Sequence, residues 1–147
     1  MGEPTRIFTL EEANELVPAL ELEFGGVARL RDELRSLVEA LGGADASVDV
    51  LQHGAAPPRG LEAEARRLRI VADEIAAAVE RVTAMGCLVK DLDLGLVDFY
   101  AMMGNEPVLL CWQFGERQVA HWHKVEEGFS GRKPIQGVEA ERPEFMN

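Results

Sequence analysis

The sequence predicts an α+β fold, in which a long antiparallel helical hairpin is followed by a small, mainly antiparallel β-meander. Three observations support this prediction. Apolar residues recur every three or four positions from Leu10 to Leu41 and again from Leu61 to Val82, as in amphipathic helices. A segment rich in Pro and small residues separates the two stretches. From Cys87 onward the apolar period changes to two, which is typical of strands.

The first helix is expected to begin after Thr9. The Thr9 hydroxyl can accept from the amide of Glu12 while the Glu12 side chain reaches back, which is a capping box. Pro18 must kink or interrupt this helix because proline has no backbone N–H to donate. Gly42–Gly43 is expected to end it, since glycine adopts the left-handed conformation of a helix C-cap.

The second helix is expected from about residue 61 to residue 85, with Gly86 as its C-cap. The preceding segment 44–60 is predicted to be a loop, because Pro57–Pro58 and its small neighbours break the helical period. Two helices of similar length joined by one loop favour an antiparallel hairpin.

The meander is expected to contain four short strands, with turns at Gly104–Asn105 and at residues 114–117. The predicted strands lie near residues 87–90, 96–100, 107–112 and 118–123. We expect residues 1–147 to form a single domain: the hairpin at about 9–86, the meander at about 87–125 and an irregular tail at about 126–147.

Composition restricts the function. The formal net charge of −11 over 147 residues disfavours nucleic-acid binding, which requires a positive surface. No apolar run approaches the roughly 20 residues needed to span a membrane, and no secretory signal is visible. The only cysteines, Cys87 and Cys111, form no CxxC pair, so a cytoplasmic location with reduced thiols is expected. Cys111 is interpreted as a small buried apolar residue rather than a nucleophile.

The first candidate metal site is the run KDLDLGLVD, which contains Asp91, Asp93 and Asp98. Three carboxylates this close together can bind a hard cation through oxygen, although the spacing is not that of an EF-hand. The alternative is an Asp-rich turn leading into a strand, in which the carboxylates accept from local amides.

The second candidate metal site is the sequence HWH. His121 and His123 would lie on the same face of a strand, as zinc and iron sites often require, and Glu116 is near enough in sequence to complete the site. In the alternative interpretation, one imidazole is packed and bonded to a backbone carbonyl while the other is solvated.

Three further residues are candidates for binding a small ligand. Trp112 and Trp122 would wall a pocket, or else form part of the core, where aromatic side chains dominate burial. Arg132 would hold an anion, or else belong to a solvated tail.

Three segments resemble the domain-of-unknown-function 2203 family of bacterial proteins: FTLEEANELVP, GCLVKDLDLGLVDF and LLCWQFGERQVAHWHKVEEGFSGRKP. The resemblance covers roughly residues 7–135 and implies no established activity. It implies a shared pattern that does not include His121, which directs attention to His123 and the carboxylates. The pattern positions are Asp91, Asp93, Gly95, Asp98, Trp112, Gly115, Glu116, Trp122, His123, Gly128, Phe129 and Arg132.

Two hypotheses for function follow. In the first, the meander binds a divalent metal ion or a small ligand, with hydrolysis as one use of such a site. The second is a non-enzymatic interaction protein that pairs through its helices. A homodimer is expected because Leu16, Leu22 and Val38 lie off the apolar seam of the first helix. We also expect His123 to lie close to at least one of the candidate carboxylates.

Overall fold

The computed structural model describes residues 6–136 and has the predicted α+β fold, with helices followed by an antiparallel sheet. Within this range no helix is long and apolar enough to cross a membrane. The helices are α1 (Leu10–Glu15), α2 (Val17–Ala40), α3 (Ala44–Gln52) and α4 (Glu62–Ala84). The strands are β1 (Leu88–Asp91), β2 (Leu96–Met103), β3 (Glu106–Gln113), β4 (His121–Lys124) and β5 (Lys133–Pro134), with a 3₁₀ turn at Phe129–Gly131 before β5.

The N-terminal helices confirm two predictions. Thr9 caps α1 through the expected capping box: the Glu12 amide donates to the Thr9 hydroxyl at 3.1 Å, and the Thr9 amide donates to the Glu12 carboxylate at 2.8 Å. The helical run breaks at Leu16, so that Pro18 lies in the first turn of α2. Proline is tolerated there because the first-turn amides have no partner within the helix.

The predicted loop over residues 44–60 is wrong for residues 44–52, which form α3. Gly43 precedes this helix with φ of +109°, a conformation that glycine adopts easily. Ser47 and Val50 lie on one face of α3 and are buried. Val50 packs in an apolar cluster with Leu41 and Leu68, while the Ser47 hydroxyl donates to the Gly43 carbonyl at 2.8 Å. Residues 53–61 remain a connection, as Pro57–Pro58 predicts.

The described chain divides into two compact units. One is Gly25–Val79 and is helical; the other contains the residues up to Phe24 and those from Glu80 onward. In the helical unit, Leu41 and Val50 pack with Ala65 and Leu68 from α4. Nη2 of Arg67 donates to Glu33 at 2.8 Å. These contacts pair late residues of α2 with early residues of α4, as an antiparallel hairpin requires.

The sheet has the order β1-β2-β3-β4-β5, and every neighbouring pair is antiparallel. Gly104–Asn105 forms the predicted two-residue turn between β2 and β3, with Met103 paired to Glu106. Beyond the four predicted strands, β5 pairs with β4, inside the segment expected to be irregular. The last part of that segment, residues 137–147, lies outside the described residues.

The two faces of the sheet differ in chemistry. One face packs on the helices and forms the main core, in which Phe24, Phe99 and Trp112 meet. Alternate residues of the same strands point to the other face. That second face, called the polar face below because it carries Asp98 and Gln113 among apolar residues, is buried at its centre: β3 is buried from Val108 to Gln113 without interruption. The expected alternation of buried and exposed positions therefore fails at the centre of the sheet.

Substituting Gly95 by Ala is expected to destabilise the fold more than substituting Gly104 by Ala. Both glycines have similar left-handed φ values, +68° and +64°, so both variants incur a backbone cost of about 1 kcal/mol. At Gly95, however, an added Cβ would lie 2.4 Å from Cβ of Phe114, whereas nothing lies within 4 Å at Gly104. This clash should add about 1–3 kcal/mol to the destabilisation of the Gly95→Ala variant. Urea unfolding of both variants measures the two free energies of unfolding, and equal decreases in the two variants would contradict this prediction.

Candidate functional site

The candidate site lies on the sheet face that points away from the helical core. Antiparallel pairing brings its residues together: Asp98 on β2 is directly opposite Cys111 on β3, and Cys111 is directly opposite His121 on β4. His123 follows two residues after His121 and so shares this face. Adjacent strands are about 4.8 Å apart, so three strands place these groups within one small area.

The centre of the site is a buried pair formed by Asp98 and His123. Nε2 of His123 lies 3.0 Å from Oδ2 of Asp98, and each residue is only 2% exposed. The expectation that His123 lies near one of the candidate carboxylates is therefore confirmed for Asp98. Such deep burial of two ionisable groups is costly unless each satisfies the other.

The hydrogen bonds of His123 limit what can lie between the two groups. Nδ1 lies 2.8 Å from the carbonyl oxygen of Lys124, which can only accept, so Nδ1 carries a hydrogen and donates. A hydrogen bond between Nε2 and Asp98 then requires one more proton, held by the imidazole or by the carboxyl group. Burial raises the pKa of the Asp98 carboxyl, against the opposing effects of His123 and Lys90. A bare carboxylate facing a bare nitrogen lone pair would be repulsive.

Cys111 is the third member of the cluster. The ligand atoms of Asp98, Cys111 and His123 all lie within 4.8 Å of one another, and all three residues are buried. Burial raises the pKa of the Cys111 thiol to about 12, although the nearby Arg132 guanidinium lowers it in part. Both cysteines are unpaired thiols, and without a cation the Cys111 thiol is expected to keep its proton.

A cavity of about 40 Å³ adjoins the three side chains. This space exceeds the roughly 10–15 Å³ that a single water molecule requires. Leu96, Lys90 and the Gly128–Phe129 segment complete its lining. The site is therefore a small pocket beside the three buried side chains, with exposed residues at its rim.

A second polar cluster lies at the β3–β4 turn. The buried carboxylate of Glu116 accepts from the backbone amide of Gln113 at 2.7 Å and forms a short ion pair with Arg132. Nδ1 of His121 lies 3.6 Å from the same carboxylate. Burial lowers the pKa of His121, and Arg132 lowers it further, while Glu116 opposes them. His121 and Glu116 thus belong together, apart from the cluster around His123.

The segment after β4 covers the polar face. Oε1 of Glu127 accepts from the Lys124 amide at 3.0 Å and from Nζ of Lys133 at 2.9 Å. A Cβ at Gly131 would lie 2.7 Å from the Glu127 side chain, so only glycine permits this approach. Arg132 also lies over the Phe129 ring, 5.0 Å from its centroid. These contacts hold the lining residues 128–129 against the sheet.

The other candidate residues lie elsewhere. Asp91 accepts from the Leu94 amide at 2.9 Å, which is the turn interaction described above as the alternative. Asp93 is exposed and is not part of the buried cluster. Trp112 and Trp122 point to the helical core face, where the Lys133 ammonium lies 4.9 Å from the Trp122 centroid. The assignment of these residues to ligand binding stays a prediction.

The sequence predicted Cys111 correctly as a buried residue but did not place it beside Asp98, and it gave no role to Lys90. A signal for Cys111 was present in the Gly104–Asn105 turn. A two-residue turn pairs Met103 with Glu106, and the same register, followed along both strands, pairs Asp98 with Cys111. No comparable signal places His123, because the connection from β3 to β4 is long and irregular.

Comparison with known proteins identifies one family. A family model described as "Uncharacterized conserved protein (DUF2203)" matches residues 6–135, which is most of the chain. No curated protein and no solved structure gives a significant match.

Replacing Glu116 by Gln is expected to lower the free energy of unfolding by about 3 kcal/mol, because it leaves the largely buried Arg132 guanidinium without its counter-charge. Gln can still accept from the Gln113 amide, so the change tests the ion pair alone. The matched control is Glu127→Gln, whose partner Lys133 is 43% exposed. This variant should lose less than about 1 kcal/mol of its free energy of unfolding. Similar losses in both variants, measured by urea unfolding, would refute this assignment.

Proposed function

We propose that this chain, which belongs to the DUF2203 family, binds a divalent transition-metal ion between Asp98, Cys111 and His123. One observation carries the proposal: an oxygen, a sulfur and a nitrogen ligand atom lie within 4.8 Å of one another on three adjacent strands. Each of the three residues is at most 2% exposed. Chemically reactive groups are rarely gathered in this way in a core without a purpose.

The donor set favours zinc among the available metals. Thiolate and imidazole ligands suit zinc and related borderline metals, whereas calcium and magnesium prefer sites made of oxygen alone. A Cys, a His and a carboxylate are all established zinc ligands, with bond lengths of roughly 2.0–2.3 Å. Ligand atoms around such an ion are about 3–4 Å apart. Nε2 and Oδ2, which lie 3.0 Å apart, would have to separate slightly to admit the ion, and the more distant atoms of the cluster, all within 4.8 Å, would have to approach.

The surroundings of His123 fit a metal ligand. Metal-bound histidines usually donate their second N–H to a carbonyl or carboxylate, which fixes the ring and directs the other nitrogen to the metal. The Lys124 carbonyl, 2.8 Å from Nδ1, is such a partner, and Nε2 faces Asp98.

Charge balance supports the same conclusion. In the absence of metal, the Asp98–His123 pair holds one extra proton and the Cys111 thiol holds another. A divalent ion would replace both protons and leave the buried site with no net charge. Binding therefore satisfies three buried groups without placing a new charge in the core.

Purified protein freed of metal is expected to take up one equivalent of Co²⁺ or Zn²⁺. Cobalt should produce a thiolate-to-metal charge-transfer absorption, because Cys111 would be bound as its thiolate. Cys111→Ser should abolish that absorption and His123→Ala should abolish tight binding. His121→Ala is the matched control and should retain both, since His121 lies with Glu116 instead.

Excess Zn²⁺ at about 100 times its Kd should stabilise the fold by about 2.7 kcal/mol.

Thiol labelling provides an independent control. Cys87 is buried, its thiol pKa is raised to about 11 by burial, and its sulfur donates to the Val82 carbonyl. Partial denaturation exposes both thiols. Zinc should slow the labelling of both, because it stabilises the fold, and should slow that of Cys111 more, because the Cys111 sulfur would also be bound to the metal. A protein that binds no transition metal, or one in which Cys111→Ser binds cobalt with an unchanged spectrum, contradicts the proposal.

A homodimer formed through the helices is our second proposal, and it underlies the alternative function as an interaction protein. The supporting observation is that several large apolar side chains on helices are exposed: Leu22 at 80%, Ile70 at 47%, Val48 at 42% and Leu51 at 38%. Monomeric proteins rarely expose many such groups, and association would cover them.

Light scattering at high micromolar concentration should give twice the chain mass, and Leu22→Glu should shift the equilibrium toward monomer. Ile7→Glu is the control, because Ile7 is also half exposed but precedes the helices. A monomer at all concentrations refutes the dimer. A metal-free protein that dimerises would make the interaction protein the better account.

A further inference from the structure

We infer that the metal held by Asp98, Cys111 and His123 keeps a coordination position for a small anion, and that Lys90 is the charge partner of that anion. The inference rests on the proposed function and extends it by naming the class of ligand. Three features support it: the number of protein ligands, the size of the adjoining cavity and the position of Lys90.

The number of protein ligands leaves a position open. Among residues 6–136, only Asp98, Cys111 and His123 form a group of His, Cys, Asp or Glu residues close enough to share one ion. Structural zinc sites are closed by four protein ligands, whereas sites with three keep a position for water or another small molecule. This site therefore has the composition of an open centre.

The cavity beside the three ligands determines what can enter that position. Its volume of about 40 Å³ admits water or an anion of two or three atoms, but not an aromatic or branched molecule. Leu96 and Phe129 form part of its wall. Their apolar surfaces cannot hydrogen-bond, so a bound anion there depends on the metal and on nearby positive charge.

Lys90 supplies that charge. Leu88 on β1 pairs with Asp98 on β2, and Lys90 lies two residues farther along β1 and lines the same cavity. A divalent ion with the Asp98 carboxylate and the Cys111 thiolate is neutral overall, so an added anion would leave one unbalanced negative charge. The Lys90 ammonium balances it, while its exposed position keeps it hydrated when no anion is bound.

Arg132 is the other cation near the cluster, but Glu116 already pairs with it. Removing Lys90 should therefore weaken anion binding, while the metal itself stays bound. Loss of anion binding with metal still bound can therefore be measured separately from loss of the metal.

The experiment titrates the Co²⁺-loaded full-length protein with azide and follows the visible d–d absorption of cobalt. Azide is expected to bind saturably and to change these bands, whereas benzoate, which exceeds the cavity, should not. Lys90→Met should raise the Kd for azide by about tenfold. Arg69→Met is the control, because Arg69 is an exposed cation on α4 that does not line the cavity, and it should bind azide like the parent protein.

The outcomes separate the two proposals. A protein that shows the thiolate-to-cobalt absorption but no response to azide overturns the open position and leaves the metal site intact. Equal weakening of azide binding in the Lys90→Met and Arg69→Met variants overturns the role of Lys90. A protein that takes up no cobalt overturns both the proposed function and this inference.

Discussion

The contact between Asp98 and His123 is the constraint on which the rest of the sheet depends. At 3.0 Å, with both residues almost fully buried, these groups coexist only if a proton or a metal ion lies between them, since Nδ1 of His123 is already committed to a carbonyl. A buried pair of this kind tolerates little displacement. The strands that carry the two residues, β2 and β4, must therefore flank one shared neighbour, and that neighbour, β3, contributes Cys111.

The contacts on both faces of the sheet hold Asp98 and His123 in position. The opposite sheet face is fixed to the helices by Phe99 and Trp112, neither of which has exposed surface. The polar face is closed by the segment that follows β4, which is held by Glu116 and Arg132 on one side and by Glu127 and Lys133 on the other. Burial of Asp98, Cys111 and His123 strengthens the electrostatic interactions among them.

The sequence was sufficient to predict the fold class, the capping box at Thr9 and the turn at Gly104–Asn105, because each depends on residues close together in the chain. It was insufficient for α3, whose few apolar contacts are long-range, and for the burial of the polar face, which depends on the segment after β4 folding back. The proximity of His123 to a carboxylate could be anticipated from the meander, but the choice of Asp98 over Asp91 could not. Cys111 was recoverable in principle, since the register of one hairpin places it opposite Asp98.

The central claim is that the buried cluster is a metal site rather than a proton-sharing pair. Crystals of the zinc-loaded protein, with diffraction recorded on both sides of the zinc absorption edge, test it most directly. A metal site predicts one strong anomalous peak in contact with Oδ of Asp98, Sγ of Cys111 and Nε2 of His123. Absence of a peak there, with Nε2 and Oδ2 still 3.0 Å apart, would contradict it and leave a shared proton as the link between the strands.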